Sequence, residues 1–181
     1  MRSRFTIYLP LSIHCPPHQA FYPKTPCFAA RKRVDGRQGG RQFIGIYIPA
    51  LSTTVTVNQT TMQIPLPPAI FIGCGKRYDI HAVKQYPKNK HPQLYCYPSP
   101  NVGADNGGIC RGDAPFPTCR PDTIHKAFKM FVESRFNNHL VTGKSKSFPQ
   151  NVIELWKTLD GKEEFPMSEL VPSYKTLGNW I

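Results

Sequence analysis

The stretch TTVTVNQTTMQIPLPPAIFIGCGKRYDIHAVK, residues 53–84, decides the fold class. Residues 53–64 carry the β-branched composition of a strand, and Pro65, Pro67 and Pro68 interrupt it. The short apolar run at 69–72 reads as a buried strand, and Gly73-Cys74-Gly75-Lys76 as a turn. In residues 77–84, Tyr78, Ile80 and Ala82 alternate with Asp79, His81 and Val83, which completes a hairpin. Upstream, residues 43–48 have the same texture; downstream, residues 94–97 give one more strand before a long irregular stretch, 98–121.

Helical periodicity begins only after that stretch. Ile124, Ala127, Phe128, Phe131, Val132 and Phe136 form one apolar stripe, with Asp122 or Thr123 placed to cap it. Val152, Leu155, Trp156 and Leu159 form a second, closed by Gly161. Residues 173–179 read as a third, shorter helix with Tyr174 and Leu177 inward. Strands first and helices afterwards predict an α+β domain, an antiparallel meander sheet with helices packed on one face. Proline, 19 of 181 residues, argues against a long-helix bundle. No apolar run approaches the roughly 20 residues needed to span a bilayer, which excludes an integral membrane protein.

The formal charge of +12 is uneven. Residues 1–41 hold eight Lys or Arg against Asp35 alone, and residues 42–181 hold fifteen against ten acids. The first 41 residues therefore form a basic Pro/Gly-rich arm, weakly ordered or adding extra strands, ahead of a folded domain at 42–181. Such an arm suits nucleic acid or an acidic partner. It lacks both aromatic interleaving and a recognition-helix period, so nucleic acid is the weaker expectation. Six cysteines, with no C-x-x-C and no paired Cys/His spacing, fit neither a disulfide scaffold nor a zinc site. The short apolar stretch after Arg2 and Arg4 is broken by Pro10 and lacks a small-residue cleavage site. Cytoplasm with reduced thiols is the expected location.

The chemistry concentrates in YPSPNVGADNGGICRGD, residues 97–113. Long loops inside compact domains are commonly functional. Its glycines let the backbone double back around Cys110 and leave little bulk over the sulfur. Arg111 beside it favours the thiolate, the nucleophilic form. Asn101 supplies a side-chain amide, an oxyanion donor that does not titrate. Asp113 is placed to orient or deprotonate an incoming amine.

Pro100-Asn101-Val102, a Gly/Asp turn, then Gly108-Ile109-Cys110 resembles the active-site signature of ubiquitin-conjugating enzymes, His-Pro-Asn followed by Gly-x-(Ile/Val)-Cys. Ser99 stands at the histidine position, and the Asn101-to-Cys110 interval is one residue longer. The flanks narrow the resemblance to a prokaryotic branch, the PRTRC system protein B family: Pro67-Pro68-Ala69-Ile70-Phe71-Ile72, Leu94-Tyr95, Phe131-Val132-Glu133-Ser134-Arg135-Phe136 and Leu155-Trp156-Lys157-Thr158-Leu159. It spans residues 60–181 and implies a ubiquitin-conjugating-like fold. It also implies a thioester relay: a ThiF-type activating enzyme adenylates a small ubiquitin-like protein with ATP and passes its C-terminus to Cys110. An amine or another acceptor then attacks the thioester, with Asn101 donating to the oxyanion. A JAB-type peptidase from the same operon is the further implied partner, and no metal or nucleotide cofactor of this chain's own is implied.

Cys15, Cys27, Cys74, Cys96 and Cys119 read as inert thiols, and Trp156 and Trp180 as core. His81, His91, His125 and His139 read as local hydrogen-bonding residues, with His139 also a candidate base near Cys110. Three readings stay open: a thioester-carrying enzyme, a catalytically silent scaffold of the same fold, and a basic nucleic-acid-binding module led by residues 1–41.

Overall fold

The computed structural model describes residues 27–32, 41–88 and 91–177, with side chains from Phe43 onward. Among them, β1 (Cys27–Lys32), β2 (Arg41–Ile48), β3 (Leu51–Val57), β4 (Thr60–Leu66), β5 (Ala69–Cys74), β6 (Arg77–Ala82) and β7 (Gln93–Cys96) precede α1 (Ile124–Val132). Then come β8 (Arg135–Phe136), α2 (Val152–Leu159), a 3₁₀ turn at Met167–Glu169 and β9 (Pro172–Thr176). Most of the basic arm, Cys15 and Trp180 lie outside the described residues. Within the arm, residues 27–32 form β1, antiparallel to β2 with Ala29 opposite Ile44.

The strands make two sheets instead of the single meander expected. Six run β1-β2-β5-β6-β7-β9, every neighbouring pair antiparallel. The other three run β4-β3-β8, with β8 parallel to β3. The reason lies in what reads as one β-branched strand at 53–64. Asn58 adopts φ 53°, a left-handed conformation that Asn tolerates better than most residues, and the chain folds back so that Val57 pairs with Thr60. The resulting hairpin leaves the main sheet, and β2 pairs directly with β5, Ile46 opposite Phe71.

One face of the large sheet carries the main core. Ile44, Ile46 and Ile48 of β2 and Ala69 and Phe71 of β5 pack there with both helices and the small sheet. Phe128 of α1 meets Phe71 edge-on at 5.4 Å between ring centroids, and Trp156 of α2 meets Phe136 at 5.1 Å. Each buried aromatic or branched side chain contributes roughly 1.5–3 kcal/mol. The opposite face holds a smaller cluster of Ile70, Ile72, Val83, Leu94 and Leu177, with Phe43 and Tyr47 against it. Burial on both faces explains why β5 reads as an unbroken apolar run.

Two helical expectations change. α1 stops at Val132, and Phe136, though buried, belongs to β8, where an extended chain is needed to pair Val57. In place of the helix expected at 173–179, residues 173–176 lie in β9, paired with β7, and residues 178–179 lie outside the described residues. There the period-2 alternation buries Ser173 and leaves Tyr174 98% exposed, not inward. α2 matches its pattern: Asn151 caps it by accepting from the Ile153 N–H at 3.0 Å. Gly161, at φ 72°, donates to Gln63 O at 2.9 Å and fastens the helix end to β4.

Candidate active site

From β7 the chain passes through Tyr97, Pro98, Ser99 and Pro100, all buried. The Trp156 Nε1–H of α2 donates to Pro98 O at 2.8 Å, so the core tryptophan also anchors the entry to the loop. Ser99, 1% exposed, turns its hydroxyl to Pro100 O at 3.0 Å. Asn101 then adopts φ 60°, and the chain reverses.

Residues 102–109 form a small hairpin, not an irregular loop. Val102 bridges Ile109, and Gly103 N–H donates to Gly108 O at 2.9 Å. The Asn106 side chain caps the bend by accepting from Gly108 N–H at 2.8 Å. The returning arm lies against β6: Ile80 N–H donates to Gly107 O at 2.8 Å and Ile109 N–H to Tyr78 O at 3.0 Å. Gly107 has to be glycine, since its φ is 70° and a Cβ there would lie 2.4 Å from Nε2 of the buried His81. Burial, assisted by the nearby Lys175 cation, lowers the His81 pKa to about 4, so the ring is neutral at physiological pH.

Cys110 ends this hairpin as a half-buried free thiol. Its N–H donates to Asn101 O at 2.8 Å, so the two expected site residues sit side by side across the hairpin base. The Asn101 amide is held at both ends by Asn137. Nδ2 donates to Asn137 Oδ1 at 3.1 Å, and Oδ1 accepts from Asn137 N–H at 3.1 Å. Only one of the two Nδ2 hydrogens is used in that pair, which leaves the amide oriented and still able to donate. Asn137 Oδ1 also accepts from His139 N–H at 2.9 Å, and His139 O accepts from Asn101 N–H at 2.8 Å. His139 thus comes to the site through its backbone, with its side chain exposed.

After the cysteine the chain turns again. Ala114 N–H donates to Arg111 O at 3.1 Å, Gly112 has φ 53°, and Asp113 stands exposed on the turn. The Arg111 guanidinium is held by its own turn and the groove: Nη1 donates to Ala114 O at 3.1 Å, and the group lies 6.0 Å from the centroid of the Phe116 ring. A groove of about 200 Å³ is lined by Gly108, Ile109 and Arg111, the chain neighbours of Cys110, though not by Cys110 itself. Tyr78 and Phe116 form its aromatic floor, and Lys76, Arg77 and Arg111 outnumber Asp79 at its rim. Among the described residues, no group of three or more His, Cys, Asp or Glu is arranged to hold a metal ion. Likewise, no helix is long and apolar enough to cross a membrane.

Asn137 escapes sequence reasoning, because 36 residues separate it from Asn101 and only the fold joins them. Its sequence signal is an Asn-Asn pair after the first helix, which reads as an ordinary turn.

Against known proteins, the sequence model for prokaryotic E2 family D matches residues 39–173. No curated protein matches the chain, and no solved structure does.

Proposed function

The chain belongs to prokaryotic E2 family D, and from that premise we propose that it is a conjugating enzyme that carries a small ubiquitin-like protein on Cys110 as a thioester. The observation that carries this reading is the hairpin base: a half-buried thiol whose backbone bonds Asn101, beside an amide oriented by Asn137.

The Cys110 thiolate attacks the carbonyl of a thioester presented by a ThiF-type activating enzyme. A new S–C bond forms, and the activating enzyme's thiolate leaves. In the second step an acceptor amine attacks the same carbonyl, Cys110 leaves as thiolate, and the amine proton passes to solvent or to a base. Asp113, on the exposed turn, is the candidate to orient that amine. In both steps negative charge gathers on the carbonyl oxygen, and the second Nδ2 hydrogen of Asn101 donates to it. The groove lined by the chain neighbours of Cys110 receives the segment leading to the transferred carboxyl end. The finer assignment to the PRTRC system protein B branch, with a JAB-type peptidase as companion and a cytoplasmic setting, rests on the motifs at residues 67–72, 131–136 and 155–159.

Incubation with ATP, a ThiF-type activating enzyme and a ubiquitin-like protein should give an adduct on a non-reducing gel. The adduct should disappear with thiol reductant and be missing in Cys110→Ala. If the activating enzyme carries its own thioester and no adduct reaches this chain, the silent scaffold is the correct reading.

A further inference from the structure

A lysine with no part in the thioester chemistry lies behind the Asn101 turn. Lys144 is 1% exposed, one of the largest fully buried side chains, on a surface-loop segment far in sequence from the cysteine. Burying a long cationic side chain is costly unless its nitrogen is satisfied. Here Nζ donates to Ser99 O at 2.6 Å and also to Leu140 O. These two carbonyls belong to the two segments that meet at the site. Ser99 precedes Asn101 by two residues, and Leu140 follows His139, whose own carbonyl accepts from Asn101 N–H. Ser99 O, Asn101 N–H and the Asn101 amide are therefore all bound to the 137–144 segment, and Lys144 supplies the first of these links.

We infer that Lys144 is a positioning residue that clamps the Ser99–Asn101 turn to the 137–140 segment and so fixes the direction in which the Asn101 amide donates. Ser99, at the position of the signature histidine, spends its hydroxyl on Pro100 O and makes no such crossing, whereas Lys144 reaches across from the opposite side. Burial pushes the Lys144 pKa down to about 7, and a nearby Cys96 thiolate would counter that. Two donated hydrogen bonds need two hydrogens, which the neutral amine has as well as the ammonium, so the clamp holds in either protonation state.

This inference deepens the thioester reading, and its test has one arm that does not depend on it. In the full chain, Lys144→Met should speed hydrogen exchange at the amides of Asn101, Cys110, Asn137 and His139 by about tenfold or more, while Phe71 and Ile72 of β5 keep their protection. Lys144→Gln, which retains a shorter donor, should fall between. In the second arm, Asn101→Gly should slow Cys110 loading strongly in the parent chain but only slightly in the Lys144→Met background. Unchanged exchange at the four amides overturns the inference, as does an Asn101→Gly effect of equal size in both backgrounds. If Met and Gln both abolish cooperative unfolding, Lys144 serves the whole fold and the inference also fails. Altered exchange with no loading in any variant, parent included, removes the thioester reading and leaves the clamp.

Discussion

The chain on the two sides of Cys110 is built differently. The ten or so residues before it are bonded to distant parts of the molecule: to β6 through Gly107 and Ile109, to α2 through Pro98, and to the 137–144 segment through Ser99 and Asn101. The residues just after it bond mainly to near neighbours, Ala114 to Arg111 and Phe116 to Ala114, until Pro117 O accepts from the Tyr78 hydroxyl at 2.9 Å and Cys119 N–H reaches Gly75 O at 2.6 Å. On the proposed thioester reading, the difference separates two tasks. An oxyanion donor is effective only if preorganised, which calls for long-range bonds that over-determine its position. A surface that admits a peptide segment needs charge and an aromatic floor more than fixed backbone.

Substitutions before the cysteine should therefore cost far more than those after it. Asn101→Gly should show the largest effect, because glycine keeps the positive φ and removes only the amide. Loading of Cys110 is expected to slow by about 10²–10³-fold in single-turnover assays, as for other oxyanion donors, with little change in melting temperature. A loss below about tenfold would mean that the amide is a turn former and not a donor.

Acid should act on the same side. His81 is held neutral beneath Gly107, with its pKa at about 4 against an ordinary 6.5. The unfolded chain takes up the proton first, so stability present above pH 6.5 is lost progressively as pH falls toward 4. The two values are about 2.5 units apart, equivalent to about 3 kcal/mol. Urea unfolding at pH 7.0, 5.5 and 4.5 measures this, and His81→Phe should flatten the dependence. Equal slopes in parent and variant would assign the acid sensitivity to other groups.

Asn137→Ala should slow loading about tenfold, less than Asn101→Gly, since it loosens the donor without deleting it. A loss equal to that of Asn101→Gly would make Asn137 a donor in its own right. In the groove that Arg111 and Phe116 of the following segment share with Lys76 and Arg77, reversing those two cations to Glu should leave folding intact and change apparent affinity for the ubiquitin-like protein only a few-fold. Each exposed charge pair is worth about 1 kcal/mol or less and weakens with salt. A collapse of loading at saturating partner would show that the groove acts in catalysis and not only in capture.

Residue pattern alone determined the α+β class, the strand content of residues 43–97, both helices and the family, because alternation, helical stripes and the Pro-Asn…Gly-Ile-Cys spacing are local in the chain. Phe136 and Tyr174 show where that locality fails. Each fits a helical stripe, yet each ends on a strand, because the neighbouring strand that pairs with it lies some 80 residues away in sequence. Only tertiary structure decided that the β-branched run at 53–64 folds into a second sheet, that the glycine-rich stretch is a hairpin against β6, and that Asn137 and Lys144 stand behind Asn101. Contacts of that kind obey the rule that buried polar groups find partners, and the rule names no address in the sequence.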